Sequence, residues 1–452
     1  MALFVLPGCA AYHPKPLDEQ AVSERLKSPV TETIRIEALE IKHPILKPQT
    51  IDFKKGISAA DAAIIAVIAN PSLRTERDRR GIAGAQLLQA GILPNPAFTY
   101  SMDFPTGGAT RGTVNGYGLT LDWTINSLFT RGARVDSARA AATSVDLEVA
   151  WKEWQVAESA KLHVYRLAFL EKQLSVADDE VTRLQQNLKA IKKAVSLGDM
   201  TALDQEAAGA AFRSARTSFL DIARQLEQER LAVNRILGFP PKYNILLKKD
   251  MSLPAPEKLP PLKVILKGLE ERRLDLLALR MGYQSQEARL RAAVLGQFPA
   301  IDIGPTHLRD TGDVVTTGFT ASISLPFFDL NQGHIAIEKA TRQRLFDEYM
   351  DRVFQARSGA ARILADMRDL EKQIDAAQDT VKLLKKLVDS SYNGFLEGNI
   401  DALTYYNELN RLFTKKLDLL KLQQNLADSV VALEITSGEH LGQMEKKGAA
   451  TK

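Results

Sequence analysis

The chain has 452 residues, enough for about three ordinary domains, and its charge is nearly balanced, with 59 Lys and Arg against 55 Asp and Glu. A formal net charge of +4 predicts neither nucleic-acid binding nor binding of acidic substrates. No run of 18 or more apolar residues occurs, which argues against a transmembrane helix and leaves a soluble, a peripheral or a β-barrel protein.

The N-terminal segment contains the single cysteine of the sequence, Cys9. The preceding residues complete the sequence LPGC, which resembles the lipobox of bacterial lipoproteins, where the cysteine becomes the lipidated first residue after signal cleavage. We interpret residues 1–8 as a truncated lipoprotein signal and Cys9 as the lipidation site. The alternative is an unmodified buried or disordered thiol. Residues 9–56 are expected to form an N-terminal arm, because they show no firm pattern.

A first structural repeat is predicted for residues 57–240. It opens with a helix over about 58–89, turns at the sequence AGILPNPAF and continues into a β-hairpin over about 97–125. The second strand of this hairpin alternates apolar residues with small or polar ones, so one face of the strand is apolar. The apolar positions, which we expect to face the membrane, are Tyr117, Leu119, Leu121 and Trp123.

A very long helix follows the hairpin, because residues 133–197 contain neither glycine nor proline. At 1.5 Å per residue they would form a rod of roughly 100 Å. Apolar residues recur at alternating spacings of four and three, which is typical of a coiled-coil seam. The seam consists of Leu170, Leu174, Ala177, Val181, Leu184, Leu188, Ile191 and Val195. A return helix is expected to end at Gly238.

The same pattern recurs 200 residues later. The sequence LEKQ at 170–173 returns at 370–373, and Gly198 and Gly238 return as Gly398 and Gly438. A constant offset over such a distance indicates an internal duplication.

The duplication defines the remaining boundaries. A proline-rich connector is predicted over 241–261, because proline ends the return helix. The second repeat spans 262–440, with its own β-hairpin over about 300–325. Its last strand contributes three further positions that we expect to face the membrane: Phe319, Ile323 and Leu325. Residues 441–452 are expected to be a flexible tail.

The four predicted strands require partners from outside the chain. Strands of about nine to eleven residues have the length that crosses a bilayer at a tilt. Four strands cannot close a barrel, and an open edge in lipid leaves backbone groups without hydrogen bonds. A shared barrel would contain eight strands from two chains or twelve from three. A half-buried sheet in a soluble protein is the alternative interpretation.

Several local sequences resemble one family of membrane proteins. They are NPSL at 70–73, QAGILPNP at 89–96, LPFFDLNQGHIAIEKA at 325–340, and the turns LGDMTALD and EGNIDALT. With the duplicated pattern, they make about residues 57–440 similar to the TolC-type outer-membrane factors of efflux and secretion systems. Within that family, AGILPNP and DLNQGHI look most like the heavy-metal, CzcC-like branch.

The resemblance implies a mainly α-helical fold with long coiled-coil hairpins and four transmembrane β-strands per chain. In a homotrimer, these would form a shared 12-stranded β-barrel in the outer membrane of a Gram-negative bacterium and an α-helical barrel in the periplasm. The partners it implies are a periplasmic adaptor protein and an inner-membrane pump of the resistance-nodulation-division type.

The resulting hypothesis is the outer-membrane channel of a tripartite efflux system, a passive exit duct that carries heavy-metal cations and is anchored by lipid. One alternative is an exit duct for type I protein secretion or for organic compounds. Another is a periplasmic coiled-coil scaffold lipoprotein without a pore, although a scaffold has no need for strands of lipid length.

The resemblance also suggests site residues near the two helix tips. A pore gate narrowed by inward side chains would consist of Asp204, Asp401, Thr404 and Asn407. The alternative for both carboxylates is a role as first-turn acids that stabilise a helix N-terminus. The tips where adaptor hairpins are expected to dock are Leu197, Gly198, Asp199, Met200, Glu397, Gly398, Asn399 and Ile400.

Residues suited to catalysis or metal binding form no recognisable motif. The six histidines are His13, His43, His163, His307, His334 and His440, and no two of them lie at ligand spacing on one predicted element. We therefore expect no enzymatic activity, no cofactor, no metal site and no nucleic-acid partner.

Overall fold

The computed structural model of the chain describes residues 11–248, 251, 253–254, 259–442 and 444. Cys9 and the predicted signal lie outside these residues, as does most of the predicted tail. The helices are α1 Glu19–Arg25, α2 Thr31–Glu40, α3 Ala59–Ala69, α4 Pro71–Gly91, α5 Asn126–Leu197, α6 Ala202–Ile236, α7 Leu262–Leu266, α8 Leu269–Arg272, α9 Leu274–Leu295, α10 Gln332–Leu396 and α11 Ala402–Ser437. The strands are β1 Ala97–Asp103, β2 Gly116–Thr124, β3 Ile301–Arg309 and β4 Val315–Ile323. The expected mainly helical fold with long hairpins and four strands is confirmed.

The segment before the first repeat, where no firm pattern was recognised, contains two short helices. Asp18 starts α1 by accepting a hydrogen bond from the Ala21 amide at 2.6 Å. Helix α2 is held by tertiary packing, because Ile34 and Ala38, four residues apart on one face, are buried against the rest of the fold.

The first helix of each repeat is interrupted, whereas the sequence predicted one continuous helix. The break between α3 and α4 falls at Asn70, because the residue before a proline is disfavoured in the helical region. The Asn70 side chain then caps α4 by accepting from the Ser72 amide at 2.9 Å. In the second repeat the corresponding segment contains α7, α8 and α9, and Gly268 adopts a positive φ of 66° at the start of α8.

The long helices dominate the molecule. Helix α5 has 72 residues and α10 has 65. Helix α5 begins six residues before Gly132, where the prediction placed its start, because a single glycine weakens a helix without ending it. Each long helix packs against the return helix that follows it, α6 or α11, and α11 also packs against α5. The two repeats therefore share one helical core.

The four strands form one antiparallel sheet in the order β1-β2-β3-β4. Its centre is the pairing of β2 with β3, which joins the two repeats, with Tyr117 opposite Arg309 and Trp123 opposite Ile303. The β2–β3 register omits the pairs of Leu121 with Pro305 and of Asp122 with Gly304, since proline has no amide hydrogen to donate.

Strand lengths differ from the prediction. They are seven residues for β1 and nine for each of the others. Leu325, predicted to lie in the fourth strand, is two residues beyond the end of β4. The strand ends there because its partner β3 begins at Ile301, opposite Ile323, and because Pro326 follows.

Strand β2 is connected to helix α5 without an intervening loop. Strand β2 ends at Thr124 and α5 begins at Asn126. The Asn126 side chain accepts from the Ile301 amide at 2.6 Å and donates to the Pro299 carbonyl at 2.6 Å. One asparagine thus fixes the start of α5 to the start of β3.

Near the sheet, the helices lie in the order α4, α5, α9 and α10, as their pairwise contacts show. The strands follow the same order. In the helical layer and in the sheet alike, one end therefore belongs to the first repeat and the other end to the second. The largest hydrophobic cluster lies further along α5, around the fully buried Trp154, where α3, α5, α6 and the segment after α6 meet.

Candidate channel surfaces: the sheet and the helix tips

The two faces of the sheet differ in polarity. Paired residues of antiparallel strands point to the same side, so the register assigns every strand residue to a face. One face, called here the apolar face, carries Phe98, Tyr100, Met102, Tyr117, Leu119, Leu121, Trp123, Ile301, Ile303, Pro305, His307, Arg309, Val315, Thr317, Phe319, Ala321 and Ile323. The opposite face is mainly threonine, serine, glycine and aspartate.

The predicted membrane-facing residues within the strands all lie on the apolar face. Phe319 is 69% exposed and Ile323 is 54% exposed, although both are large and hydrophobic. Trp123 is half-buried, and its indole nitrogen donates to the Pro94 carbonyl at 3.0 Å. Burial within this chain therefore leaves much of the apolar face uncovered.

Each edge of the sheet and of the helical layer is also uncovered in the described part of the chain. Strands β1 and β4 each pair with one neighbour there. Helix α10 presents three large apolar residues, four apart on one face, that are 48–70% exposed: Phe346, Met350 and Phe354. These edges are suited to contact with another chain, because unpaired strand edges and exposed apolar stripes are unfavourable in water.

The first helix tip joins α5 to α6. Gly198 ends α5 with φ at 84°, and the Asp199 amide donates back to the Ala194 carbonyl at 2.9 Å. Helix α6 is then capped reciprocally, with the Thr201 hydroxyl accepting from the Asp204 amide at 3.2 Å and the Asp204 carboxylate accepting from the Thr201 amide at 2.9 Å.

The second tip has the same backbone with its capping residues exchanged. Gly398 has φ at 76°, and the Asn399 amide donates to Gly394. Here Asp401 is the first capping residue and accepts from the Thr404 amide at 2.9 Å and the Thr404 hydroxyl at 2.8 Å. These bonds lower the pKa of Asp401, because they stabilise its charged form.

Three of the four predicted gate residues thus already have local partners. Asp204 lies in the first turn of α6, as the alternative interpretation stated, whereas Asp401 is the N-cap residue of α11 itself. Thr404 bonds to Asp401, and Asn407 is exposed. Their role as a pore gate stays a prediction, since capping and lining a pore are compatible.

The predicted docking residues lie at the exposed end of both hairpins. The first three of each set are exposed and the fourth, Met200 or Ile400, is half-buried. Behind them, one hydrophobic cluster ties the two tips together and includes Leu184, Leu384, Tyr405 and Tyr406. Burial and the neighbouring Tyr405 raise the pKa of Tyr406 to about 12, so this hydroxyl stays neutral. The two tips therefore form one unit.

The structure also reveals a buried ionic cluster that the sequence did not predict. It consists of Glu158 and Lys161 on α5, Glu434 on α11 and His440 after α11. The Lys161 ammonium lies 2.6 Å from Glu158, 3.0 Å from Glu434 and 3.1 Å from Nδ1 of His440. Potential metal-ligand atoms of the other three residues lie within 4.8 Å of one another, and the ammonium lies among them.

Burial controls the protonation of this cluster. Burial raises the pKa of Glu158 well above its ordinary value and outweighs the attraction of Lys161. Burial acts on Glu434 in the same direction, but hydrogen bonding from His440 and the charge of Lys161 lower its pKa. No periodic signal could have revealed the cluster, because Glu158 and Glu434 are far apart in sequence and belong to different repeats.

Comparison with known proteins identifies the family. The sequence matches the profile of the outer membrane efflux protein family over residues 65–239 and again over 265–439. The chain belongs to the outer membrane efflux protein family. The two matches begin and end 200 residues apart, the same offset as the sequence repeat.

Solved structures of outer-membrane channels have the same fold as this family member. CusC is 18% identical, with a TM-score of 0.69, and the match covers 88% of this chain and 98% of CusC. VceC of Vibrio cholerae is 17% identical, with a TM-score of 0.70 and coverage of 85% and 96%. The open state of MtrE from Neisseria gonorrhoeae is 20% identical, with a TM-score of 0.68 and coverage of 89% and 96%. No curated protein matches the sequence.

Membership of the outer membrane efflux protein family agrees with the TolC-type resemblance seen in the sequence. It makes this protein an efflux-channel component located in the outer membrane, and the family consists of transport components. Within the described residues, no helix is both long enough and apolar enough to cross a bilayer.

Proposed function

We propose that this efflux protein forms a homotrimeric exit duct, in which a shared 12-stranded β-barrel crosses the outer membrane and a barrel of long helices crosses the periplasm. The observation that carries the proposal is the four-stranded sheet, with one uncovered apolar face and an uncovered strand at each end. Pairing β4 of one chain with β1 of the next would satisfy both edges and place the apolar face in lipid.

The helical layer supports the same assembly. Helices α4 and α10 lie at its two ends, as β1 and β4 do in the sheet, so the same rotation brings both pairs together. The exposed Phe346, Met350 and Phe354 of α10 would then be buried against the adjacent chain.

The first test is the mass of the detergent-extracted protein by light scattering, corrected for bound detergent, followed by conductance of the same sample in a planar bilayer. A mass near three times 49.9 kDa with discrete conductance steps is expected. A detergent-independent monomer without conductance would instead favour the coiled-coil scaffold.

A matched pair of variants tests which face of the sheet contacts lipid. Phe319→Lys places a charge on the apolar face, at a cost of roughly 2–4 kcal/mol near the bilayer centre. Thr320→Lys, the next residue, places the same charge on the polar face. The first should reduce membrane assembly far more than the second, and equal effects would contradict the assignment.

The tripartite partners and the tips belong to the same proposal. A periplasmic adaptor would dock on the two tips and connect the duct to an inner-membrane pump of the resistance-nodulation-division type. Replacing Gly198 and Gly398 by large residues should abolish transport while light scattering still shows a trimer. Dissociation of the trimer would point to a structural role alone.

We also propose that heavy-metal cations are the cargo, as in the CzcC-like branch that the sequences AGILPNP and DLNQGHI resemble. Threefold repetition would make a ring of carboxylates from Asp204, which favours cations. Asp204→Asn keeps an oxygen for the Thr201 cap and removes the charge, so it should lower cation over anion permeability. Unchanged selectivity would favour capping alone. An exit duct for secreted proteins or organic compounds is the second candidate.

Cys9 is the proposed lipid anchor of the duct. The protein, processed through the lipoprotein pathway, should incorporate radiolabelled palmitate, and Cys9→Ser should not. Equal labelling of the two proteins would remove the anchor from the proposal.

A further inference from the structure

A cavity of about 300 Å³ lies between α4, α5 and α9, on the sheet side of the long helices. It is called here the Arg134–Arg289 cavity, and its polar lining is Gln86, Arg134, Ser137 and Arg289. Three alanines complete the lining, so the space arises where small residues leave the helices incompletely filled.

Close packing of α5 and α9 fixes the position of the cavity. The hydroxyls of Ser137 and Ser285 are 3.0 Å apart and buried, and the Ser144 hydroxyl donates to the Ala278 carbonyl at 2.7 Å. Two helices joined by such bonds hold a constant spacing, so Arg134 on one and Arg289 on the other have a defined separation.

The two guanidinium groups have no carboxylate partner within 4.0 Å in the described part of the chain. The nearby acids belong to the other side of each helix. Asp136 lies 2.6 Å from Arg291, and residues two apart on a helix are about 200° apart around its axis. Asp136 follows Arg134 by two residues on α5, and Arg291 follows Arg289 by two residues on α9. The Asp136–Arg291 ion pair therefore faces away from the cavity.

Among the described residues, the one polar contact of Arg134 is long, at 3.4 Å to the Ser127 carbonyl. Arginine is charged at every physiological pH, and its planar fork of donors matches the oxygen pairs of phosphate-like anions. Gln86 adds an amide donor on a third helix. The cavity is open to solvent, since Gln86, Arg134 and Arg289 are exposed, and its two guanidinium groups without a carboxylate partner have the chemistry of an anion site.

We propose that the Arg134–Arg289 cavity binds a phosphate-type oxyanion. Arg134 is the ninth residue of α5, about 12 Å along the helix from its first residue, which follows the end of β2. The anion is either free in solution or the phosphate of a lipid headgroup, since the two share this chemistry. Binding needs no transport, so the proposal stands or fails independently of the exit-duct function.

The test is a calorimetric titration, in which inorganic phosphate is added at low salt to the full-length protein in neutral detergent. We expect saturable binding that sulfate displaces and chloride does not. Arg289→Gln should weaken it by roughly tenfold or more, because one charged fork is removed.

Arg291→Gln is the matched control, with the same charge change on the opposite face of α9. Its partner Asp136 keeps Arg139 at 3.4 Å, so no carboxylate is left without a cation. Phosphate affinity should stay within about twofold of wild type. Equal weakening by the two variants, or no saturable binding, would overturn the site.

A second arm separates the two sources of the anion. The same titration is repeated in nanodiscs of phosphatidylcholine alone and of phosphatidylcholine with phosphatidylglycerol. Phosphate affinity that is equal in both nanodiscs and in the neutral detergent, which carries no phosphate, identifies a free anion as the ligand. Phosphate affinity that is lower in either nanodisc than in detergent identifies the lipid phosphate, provided that Arg289→Gln shows no such decrease.

Discussion

The two ends of the helical hairpins differ in how closely the repeats correspond. At the tips the repeats are alike, since Gly198 and Gly398 adopt the same backbone and the residues around them have the same burial pattern. At the other end they are not alike, because Glu158 and Lys161 correspond to Ser358 and Ala361 and therefore have no charged counterpart. Local structure can be repeated within a chain, whereas a contact between the repeats must be asymmetric.

The return helices show the same contrast. Asn234 in the first repeat donates to the Pro241 and Tyr243 carbonyls and so holds the segment after α6. Its counterpart Glu434 instead accepts from the Leu441 amide at 2.8 Å and also contacts Lys161. One position has kept its role in securing the following segment and has gained a second role in joining the repeats.

The largest effect is expected in the ionic cluster. Lys161→Met removes the ammonium that lies 3.0 Å from the buried Glu434 carboxylate and 2.6 Å from Glu158, which should lower the free energy of unfolding by about 3–5 kcal/mol. Denaturant unfolding followed by circular dichroism measures the loss. Lys172→Met, an exposed lysine further along α5, should change it by less than about 1 kcal/mol.

Glu158→Gln tests the protonation of the same cluster. A carboxyl whose pKa is raised in the folded state loses stability as pH rises above its ordinary pKa, because its charged form is disfavoured by burial. The stability of Glu158→Gln relative to wild type should therefore increase from about pH 5 to pH 8. A difference that does not vary with pH would show that folding leaves the pKa of Glu158 unchanged.

The tips should respond equally in the two repeats. Gly198→Ala and Gly398→Ala each place a Cβ on a backbone with positive φ, which costs about 1–2 kcal/mol, and neither Cβ meets an atom within 4 Å. Gly132→Ala, inside α5 and equally free of contacts, should instead stabilise by roughly 0.5–1 kcal/mol. Unequal losses at the two tips would break the correspondence.

Removing the capping hydroxyl of α6 should have a smaller effect on stability than the glycine substitutions at the tips. Thr201→Ala removes the hydroxyl that accepts from the Asp204 amide and should cost about 1 kcal/mol. Thr201→Ser keeps the hydroxyl and serves as the control. Thermal unfolding in detergent compares them, and an equal decrease for both variants would mean that the hydroxyl does not cap α6.

The smallest effect is local and depends on pH. Asp401 has a lowered pKa, so its capping contribution is present above its ordinary pKa and is lost as pH falls through the lowered value. Hydrogen exchange should show the Thr404 amide losing protection in acid. The Asp204 amide, which donates to a hydroxyl that does not titrate, should keep its protection. Equal behaviour of the two amides would contradict the assignment of the caps.

The sequence predicted features that repeat or alternate. The coiled-coil seam, the 200-residue offset and the alternation from Tyr117 to Trp123 led to the long helices, the two hairpins and the apolar face. The break at Asn70 was also readable from the asparagine and proline that follow one another there, but helical periodicity on both sides concealed it.

The unpredicted features depend on which helix faces meet. Glu158 and Glu434 are separated by most of the chain, and Arg134 and Arg289 belong to different repeats. Periodicity identifies a buried face but does not identify its neighbour, so neither the ionic cluster nor the cavity could be derived from spacing. The number of chains in a shared barrel is equally outside such reasoning, because strand length and pattern left eight and twelve strands open.

The direct junction between β2 and α5 has a mechanical consequence. With Asn126 bonded to both Pro299 and Ile301, the strand and the 72-residue helix behave as one stiff lever, and there is no loop to absorb a twist. A single inserted residue in α5 would turn everything beyond it by about 100° and shift it by about 1.5 Å. Torque applied at the tips is therefore transmitted to the sheet, and the angular phase of this helix is as strongly constrained as its length.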